Sequence, residues 1–141
     1  MERNTRAELE LLHGALTGKI IGAFFDVYNE LGHGYAELVY QRAIVIALRE
    51  RDIQVETERA LTIHYHGQVV GEYRADLITD GKVIVECKVA PKIAQTHETQ
   101  LLNYLKATSI KIGLILNFGP DATFRRMLLS SGGNPPAVLR A

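Results

Sequence analysis

Two carboxylates and a lysine lie at close spacing in an otherwise apolar part of the chain. Asp76 is followed after nine residues by Glu86, and Lys88 lies two positions further on. Charged groups in an apolar segment are costly unless a partner neutralises them, and a divalent cation held by oxygen ligands is a common partner. A bound Mg²⁺ or Mn²⁺ polarises a phosphoryl oxygen and activates water, and a nearby lysine can orient that water. The spacing therefore indicates metal-dependent phosphodiester hydrolysis.

The turn between the two carboxylates decides whether they can share an ion. Side chains alternate between the two faces along a β-strand, and residues directly opposite on paired strands share a face. A two-residue turn at Asp80-Gly81 would place Asp76 and Glu86 on opposite faces of the sheet. A three-residue loop at Thr79-Asp80-Gly81, a type I turn with a glycine bulge, would place both carboxylates on one face.

Polarity favours the three-residue loop. In that register Ile78 would face Lys82. Asp76 and Glu86 would be diagonal neighbours with their Cβ atoms roughly 7 Å apart, and Lys88 would share their face. The opposite face would be almost wholly apolar, and its residues would be Ala75, Leu77, Val83, Val85, Cys87 and Val89. Since a face covered by helices should be apolar, we expect the odd-length loop.

Helices are expected before this hairpin. One begins near Thr17 and ends at residues 32–34, and a second runs from about Tyr35 to Glu50. The inward positions are expected to be Ile20, Ile21, Phe24, Val27 and Tyr28 in the first helix and Val39, Ala43, Ile46 and Ala47 in the second. Thr5-Arg-Ala-Glu8 resembles a capping box, which predicts a further short helix near the N-terminus.

Strands dominate the remainder of the chain. From Ile53 to Val89 the apolar period is two, which predicts an antiparallel meander with a turn at His66-Gly67. The segments expected after it are a helix capped by Thr96 that extends to about Ala107, a buried strand from Lys111 to Phe118, a short helix from Phe124 to Leu129 and a flexible tail over residues 130–141. This order predicts one domain, with a core of about residues 17–129, in an α/β sandwich whose central mixed β-sheet is flanked by helices.

Composition and charge narrow the functional classes. The lone Cys87 forms no internal disulfide and supplies no multi-cysteine zinc site. No apolar stretch approaches the roughly 20 residues that span a bilayer, and the N-terminus lacks a secretory signal, so we expect a cytoplasmic protein without membrane contact. Sixteen basic residues balance sixteen acidic ones, so any polyanion site must be local. A homo-oligomer is left open.

Local cations are few and scattered along the sequence. They are Arg42, Lys92, Lys106, Lys111, Arg125 and Arg126, and Lys92 follows the hairpin closely. Because there is no recognition-helix pattern and no basic tail, contact with a nucleic-acid backbone is favoured over base-specific readout.

Three motifs together resemble the PD-(D/E)xK nuclease superfamily, which has the fold of restriction endonucleases and RecB-like exonucleases. They are Gly34-Tyr-Ala-Glu37-Leu-Val-Tyr40, the hairpin that joins Ala75-Asp76-Leu77 to Val83-Ile-Val-Glu86-Cys-Lys88, and His97-Glu-Thr-Gln100-Leu-Leu-Asn-Tyr104-Leu105. Their order is similar to that of the small GxxExxY family. The similarity covers about Thr17 to Arg126, and it departs from the superfamily pattern at Ala75, which stands in the position of the proline.

The resemblance implies a metal-dependent nuclease that uses Mg²⁺ or Mn²⁺ and acts on DNA, or less favourably on RNA. Asp76 and Glu86 match the metal ligands, and Glu37 matches the helix carboxylate that completes the metal site in many relatives. Lys88 matches the catalytic lysine. The residues that match or are expected to serve as substrate or water contacts are Gln100, Tyr104, Tyr40, Lys92 and His97.

The residues that the resemblance adds to Asp76, Glu86 and Lys88 also have structural explanations. The helix dipole favours a carboxylate such as Glu37 in the first turn of a helix, and Tyr40 could pack in the core. Gln100 and Tyr104 form an ordinary i, i+4 pair, and His97 could be solvated at a helix start. The alternative function is therefore a non-catalytic domain that keeps this fold to bind nucleic acid or a protein partner.

Overall fold

The computed structural model of the protein describes residues 12–129 and 137–139. Within these ranges the chain forms three α-helices and six β-strands. The helices are α1 (Gly14–Leu31), α2 (Glu37–Arg49) and α3 (Gln95–Thr108), and the strands are β1 (Val55–Tyr65), β2 (Gln68–Thr79), β3 (Val83–Lys88), β4 (Ile112–Phe118), β5 (Ala122–Leu128) and β6 (Ala137–Leu139). No helix in the described part of the chain is long and apolar enough to cross a lipid bilayer.

The six strands form one mixed sheet in the order β1-β2-β3-β4-β5-β6. Neighbouring strands are antiparallel except β3 and β4, which are parallel and are joined by the crossover helix α3. A parallel pair needs such a crossover because a short turn can only reverse the chain. The predicted α/β sandwich with a central mixed sheet is confirmed.

Helices cover both faces of the sheet. On one face α1 and α2 pack against apolar residues of β2, β3 and β4, where the Phe24 ring meets Phe118 edge to face at 4.8 Å between ring centroids. On the other face α3 packs closely over β4, since a Cβ at Gly113 would approach the Leu101 side chain to 2.8 Å. This close contact fixes the position of α3 on the sheet. Helix α3 is the helix that follows β3, the strand with the Glu-x-Lys motif.

The first two helices differ from their predicted bounds and faces. Helix α1 begins at Gly14, three residues before the predicted start. Helix α2 buries Tyr40, Ile44, Ala47 and Leu48, whereas the predicted inward residues Val39 and Ile46 are 40% and 61% exposed. Because α2 carries apolar side chains around most of its circumference, periodicity alone could not select the buried side. The predicted capping box at residues 5–8 lies outside the described residues.

The C-terminal part of the chain was predicted wrongly. The expected short helix at 124–129 is strand β5, which pairs antiparallel with β4 from Phe118↔Ala122 to Ile112↔Leu128. Pairing with a buried neighbouring strand overrides the weak local preference of so short a segment. Within the segment expected to be a flexible tail, residues 137–139 pair with β5 as β6.

The loop between β2 and β3 has the predicted odd length, but the predicted register is wrong. The paired residues are Leu77↔Val85, Ile78↔Ile84 and Thr79↔Val83, so Ile78 does not face Lys82. The loop is Asp80-Gly81-Lys82, and Asp80 and Gly81 have φ values of 50° and 65°.

Contacts of Thr79 and Asp80 explain this shift of the loop by one residue. The buried Thr79 hydroxyl donates to the Val83 carbonyl at 3.0 Å, which keeps Thr79 in the ladder. The Asp80 carboxylate accepts the Gln54 N–H at 2.8 Å, which places Asp80 in the loop. Continuing the observed register by one pair sets Asp76 directly opposite Glu86, not diagonal to it.

Candidate active site

Asp76 and Glu86 lie side by side where the ladder between β2 and β3 ends. The last backbone pair of that ladder before them is Leu77↔Val85. Beyond it the Asp76 N–H donates to Glu86 Oε2 at 3.1 Å, and the Cys87 N–H donates to Asp76 Oδ2 at 3.0 Å. Each carboxylate therefore has one oxygen bound to the opposite strand, which holds the pair together in a defined orientation.

The burial and charge of this carboxylate pair favour a bound cation. Glu86 is only 2% exposed, and Asp76 is half-buried. Burial, and after it the charge of Asp76, raise the pKa of Glu86 to about 9, and Lys88 partly opposes this shift. Ionising a buried carboxylate beside a second carboxylate is costly without a counter-ion, and the hard oxygen atoms of the pair suit Mg²⁺ or Mn²⁺. The donor set thus fits a divalent metal ion.

Lys88 is held by a residue of α3. Its Nζ donates to Gln100 Oε1 at 2.9 Å, and Tyr104 follows Gln100 one helical turn later. Among the residues that the structure describes, no ion pair within 4.0 Å joins Lys88 to Glu86 or Asp76. The lysine is therefore oriented by an amide instead of being neutralised by a carboxylate.

Tyr104 is a buried phenol at the same site. Burial, and after it the charges of Glu86 and Asp76, raise its pKa to about 12, and a hydrogen bond with the Gln100 side chain partly opposes this shift. The side chain is 4% exposed, and its ring lies 5.5 Å from that of Tyr73. Tyr104 is therefore neutral at ordinary pH.

Glu37 lies at the margin of this group, in the first turn of α2. Partial burial raises its pKa, the charge of Asp76 adds to the shift, and Lys88 opposes it, so these charges act on one another. Within the described ranges, however, no three His, Cys, Asp or Glu side chains are grouped closely enough to hold a metal ion. The structure assembles two of the three predicted metal ligands and leaves Glu37 beside them.

Tyr40 was predicted to contact substrate, and the structure contradicts this. Its side chain is completely buried and stacks on Phe118 with 4.6 Å between ring centroids. Its hydroxyl donates to the Gly32 carbonyl and accepts the Tyr35 N–H at 3.2 Å. Tyr40 therefore stabilises the connection between α1 and α2, and its polar atom is already used within the chain.

The two other predicted substrate contacts lie near the start of α3. Lys92 is exposed in the loop after β3. The His97 Nδ1 accepts the Ala94 N–H at 3.0 Å, while burial and then the charge of Lys88 lower its pKa. This bond caps the helix in place of Thr96, whose predicted capping role is wrong because α3 already begins at Gln95. His97 is thus neutral and part of the helix cap.

Two residues that the sequence analysis missed fix the loop after Lys88. Asn117, which is fully buried, accepts the Ala90 N–H and donates to the Ala90 carbonyl, both at 3.0 Å. A Cβ at Gly119 would lie 2.0 Å from that same carbonyl oxygen, so only glycine fits. An amide in the otherwise apolar strand β4 was the signal that could have revealed this contact.

Fold and site together define a nuclease-like α/β protein with paired carboxylates and a lysine at the end of a β-hairpin. Residues 14–127 match the family model of the PD-(D/E)XK nuclease superfamily, and the chain belongs to that superfamily. Proteins of this superfamily are generally nucleases.

The comparison with solved structures agrees on the fold. The crystal structure of SSO0001 superposes with a TM-score of 0.52 at 19% identity, and the match covers 86% of this chain. The chain spans 56% of the length of that protein, and at this identity the likeness concerns the restriction-endonuclease-like fold alone. No curated protein matches the chain.

Proposed function

We propose that the protein is a metal-dependent nuclease that hydrolyses phosphodiester bonds of DNA, in preference to RNA. The buried Asp76–Glu86 pair carries the proposal, because burial and the neighbouring carboxylate raise the pKa of Glu86 to about 9 unless a cation is bound. Mg²⁺ usually keeps several waters and takes one or two carboxylates, so two protein ligands suffice. Membership of a nuclease superfamily supports the same reaction.

The surrounding residues have separate roles in this proposal. A bound ion would polarise the scissile phosphate and lower the pKa of a water molecule. Lys88, anchored through Gln100, directs its remaining protons towards the attacking water or the phosphate oxygens. Tyr104 keeps its proton at neutral pH and can donate a hydrogen bond. The charge of Glu37 interacts with those of Asp76 and Lys88.

Three finer assignments accompany the proposal. The sequence from Gly34 to Tyr40 supports a place in the GxxExxY family. One continuous sheet with a core on each face supports a single domain. A nucleic-acid substrate is consistent with a cytoplasmic location.

Cleavage assays with matched variants test the proposal. Mg²⁺ or Mn²⁺ is titrated into the protein with linear and circular DNA and with RNA, and wild type is compared with Asp76→Asn and Glu86→Gln. Glu72→Gln is the control, because Glu72 is an exposed carboxylate on the same strand β2. We expect metal-dependent cleavage that both site variants abolish and the control retains.

Two results would count against the proposal. Absence of metal-dependent cleavage, with Asp76→Asn and wild type indistinguishable, would refute it. Ion binding measured by calorimetry that depends on Asp76 and Glu86 but brings no cleavage would favour the non-catalytic alternative.

A further inference from the structure

A groove of about 430 Å³ lies between helix α2 and strand β1. Asp76 is one of its lining residues, so the groove reaches the candidate active site. Its walls include Leu38, Arg42, Ile46 and Arg49 from α2 and Glu58 from β1. A polymer that enters the groove would therefore pass beside the proposed metal ligands.

The helix wall of the groove alternates between apolar and cationic side chains. Leu38, Arg42, Ile46 and Arg49 are three or four residues apart, so they form one stripe along α2. Leu38 and Ile46 are 50% and 61% exposed, although both are large aliphatic residues. This stripe lies beside the face of α2 that packs on the core, and it leaves apolar and positive groups available to a ligand.

The two arginines differ in what they already contact. Arg49 donates to the Val55 carbonyl at 3.2 Å, which ties α2 to the start of β1. Arg42 is exposed and forms no hydrogen bond or ion pair within the part of the chain that the structure describes. Glu58, which also lines the groove, accepts a hydrogen bond from the Gln41 amide at 3.4 Å. Arg42 is thus the cation most available to an anionic ligand.

We infer that this groove binds a single-stranded nucleic acid and delivers it to the carboxylate pair. The inference rests on the proposed nuclease function, because Asp76 of the carboxylate pair lines the groove. Phosphates of the strand would contact Arg42 and Arg49, and unstacked bases would cover Leu38 and Ile46. About 10.5 Å of helix rise separates the two arginines, which lets them contact separate phosphates.

A duplex fits the same stripe less well. Its bases are stacked inside, and its outer surface presents charged phosphates, against which Leu38 and Ile46 would lose water without gaining apolar contact. The chain has sixteen basic and sixteen acidic residues, so it lacks the excess positive charge that favours non-specific duplex binding. Single strands combine phosphate contacts with exposed base faces, as the alternating stripe requires.

Fluorescence anisotropy with a labelled oligothymidylate tests this inference. Binding is measured in EDTA, so that it does not depend on cleavage, for wild type, Arg42→Gln and Ile46→Ser. Arg59→Gln is the matched control, because Arg59 is 51% exposed on β1 and is not among the residues that line the groove. Circular dichroism checks that these variants keep the fold.

The expected changes separate the two kinds of contact. Arg42→Gln should raise Kd about five- to tenfold and reduce the slope of log K against log salt by about 0.7, since one phosphate contact is lost. Ile46→Ser should raise Kd about threefold and leave the salt slope unchanged. The control should bind as wild type does, and a matched duplex should bind more weakly than the single strand.

Several results would overturn the inference without touching the proposed function. They are single-strand binding that Arg42→Gln and Ile46→Ser leave unchanged, tighter binding of the duplex, and no single-strand binding by wild type. Any of these with intact metal-dependent cleavage would show that the groove does not guide a single strand, and tighter duplex binding would assign it to a duplex. Conversely, Arg42-dependent binding without cleavage would support the groove and refute the nuclease.

Discussion

Replacing Glu86 with Gln removes the ionisable group from the buried pair and keeps its size and an acceptor for the Asp76 N–H. The pKa of Glu86 is about 9 in the folded protein, against an ordinary value of 4.5. A carboxyl whose pKa is raised by folding contributes stability that is fully present below its unfolded pKa and is lost as pH rises towards the folded pKa. We therefore expect the metal-free wild type to lose stability between about pH 4.5 and pH 9.

The size of this loss follows from proton linkage. Each pH unit costs about 1.4 kcal/mol while the folded protein holds a proton that the unfolded chain has released. Three units, from pH 4.5 to about pH 7.5, therefore give an upper limit of about 4 kcal/mol. Because local relaxation lowers the cost, we expect Glu86→Gln to be more stable than wild type by about 2 to 4 kcal/mol at pH 7.5. At pH 4 the two proteins should be about equally stable.

Urea unfolding followed by circular dichroism measures this difference. Wild type, Glu86→Gln and the exposed control Glu72→Gln are unfolded in EDTA at intervals from pH 4 to pH 9. Stability curves of wild type and Glu86→Gln that stay parallel over this range would refute the reasoning. Added Mg²⁺ at pH 8 should restore stability to wild type and not to Glu86→Gln, because only ionised ligands bind the ion.

Three further substitutions have distinct expected outcomes. Gly119→Ala should lower the free energy of unfolding by about 1 to 3 kcal/mol, because its Cβ would lie 2.0 Å from the Ala90 carbonyl oxygen; an unchanged urea midpoint would contradict this. Tyr40→Phe should cost about 1 kcal/mol of stability without changing the Kd for nucleic acid, whereas weaker binding at unchanged stability would restore a substrate contact. Gln100→Leu should lower kcat about 10- to 100-fold with little change in Mg²⁺ affinity, since it releases Lys88; wild-type turnover would show that the amide does not position the lysine.

The hairpin of β2 and β3 shows how much of the structure side-chain alternation can predict. Alternation of side chains required an odd-length loop, because only that parity places the two carboxylates on one face and apolar residues on the other. The choice of Asp80-Gly81-Lys82 over Thr79-Asp80-Gly81 depends in part on the contact between Asp80 and Gln54, which lies just before β1. Gln54 is distant in sequence from the loop, so the hairpin considered alone lacks part of the information.

In the rest of the fold, the sequence did not predict the structure of segments that are short or that carry apolar residues on several sides. Helix α2 is apolar on several sides, and its buried face was decided by packing on α1 and the sheet. Segment 122–128 is too short for periodicity to distinguish a strand from a helix, and its pairing with β4 decided the matter.

Residue types and alternation along the chain by themselves determined that Asp76, Glu86 and Lys88 belong to one face of a hairpin, since only an odd-length loop separates the polar side chains from the apolar ones. Tertiary structure alone decided the burial that raises the pKa of Glu86, the hydrogen bond from Lys88 to Gln100 and the burial of Tyr40. These features depend on solvent exclusion and on contacts between elements far apart in sequence, and such contacts form only when the helices pack on the sheet.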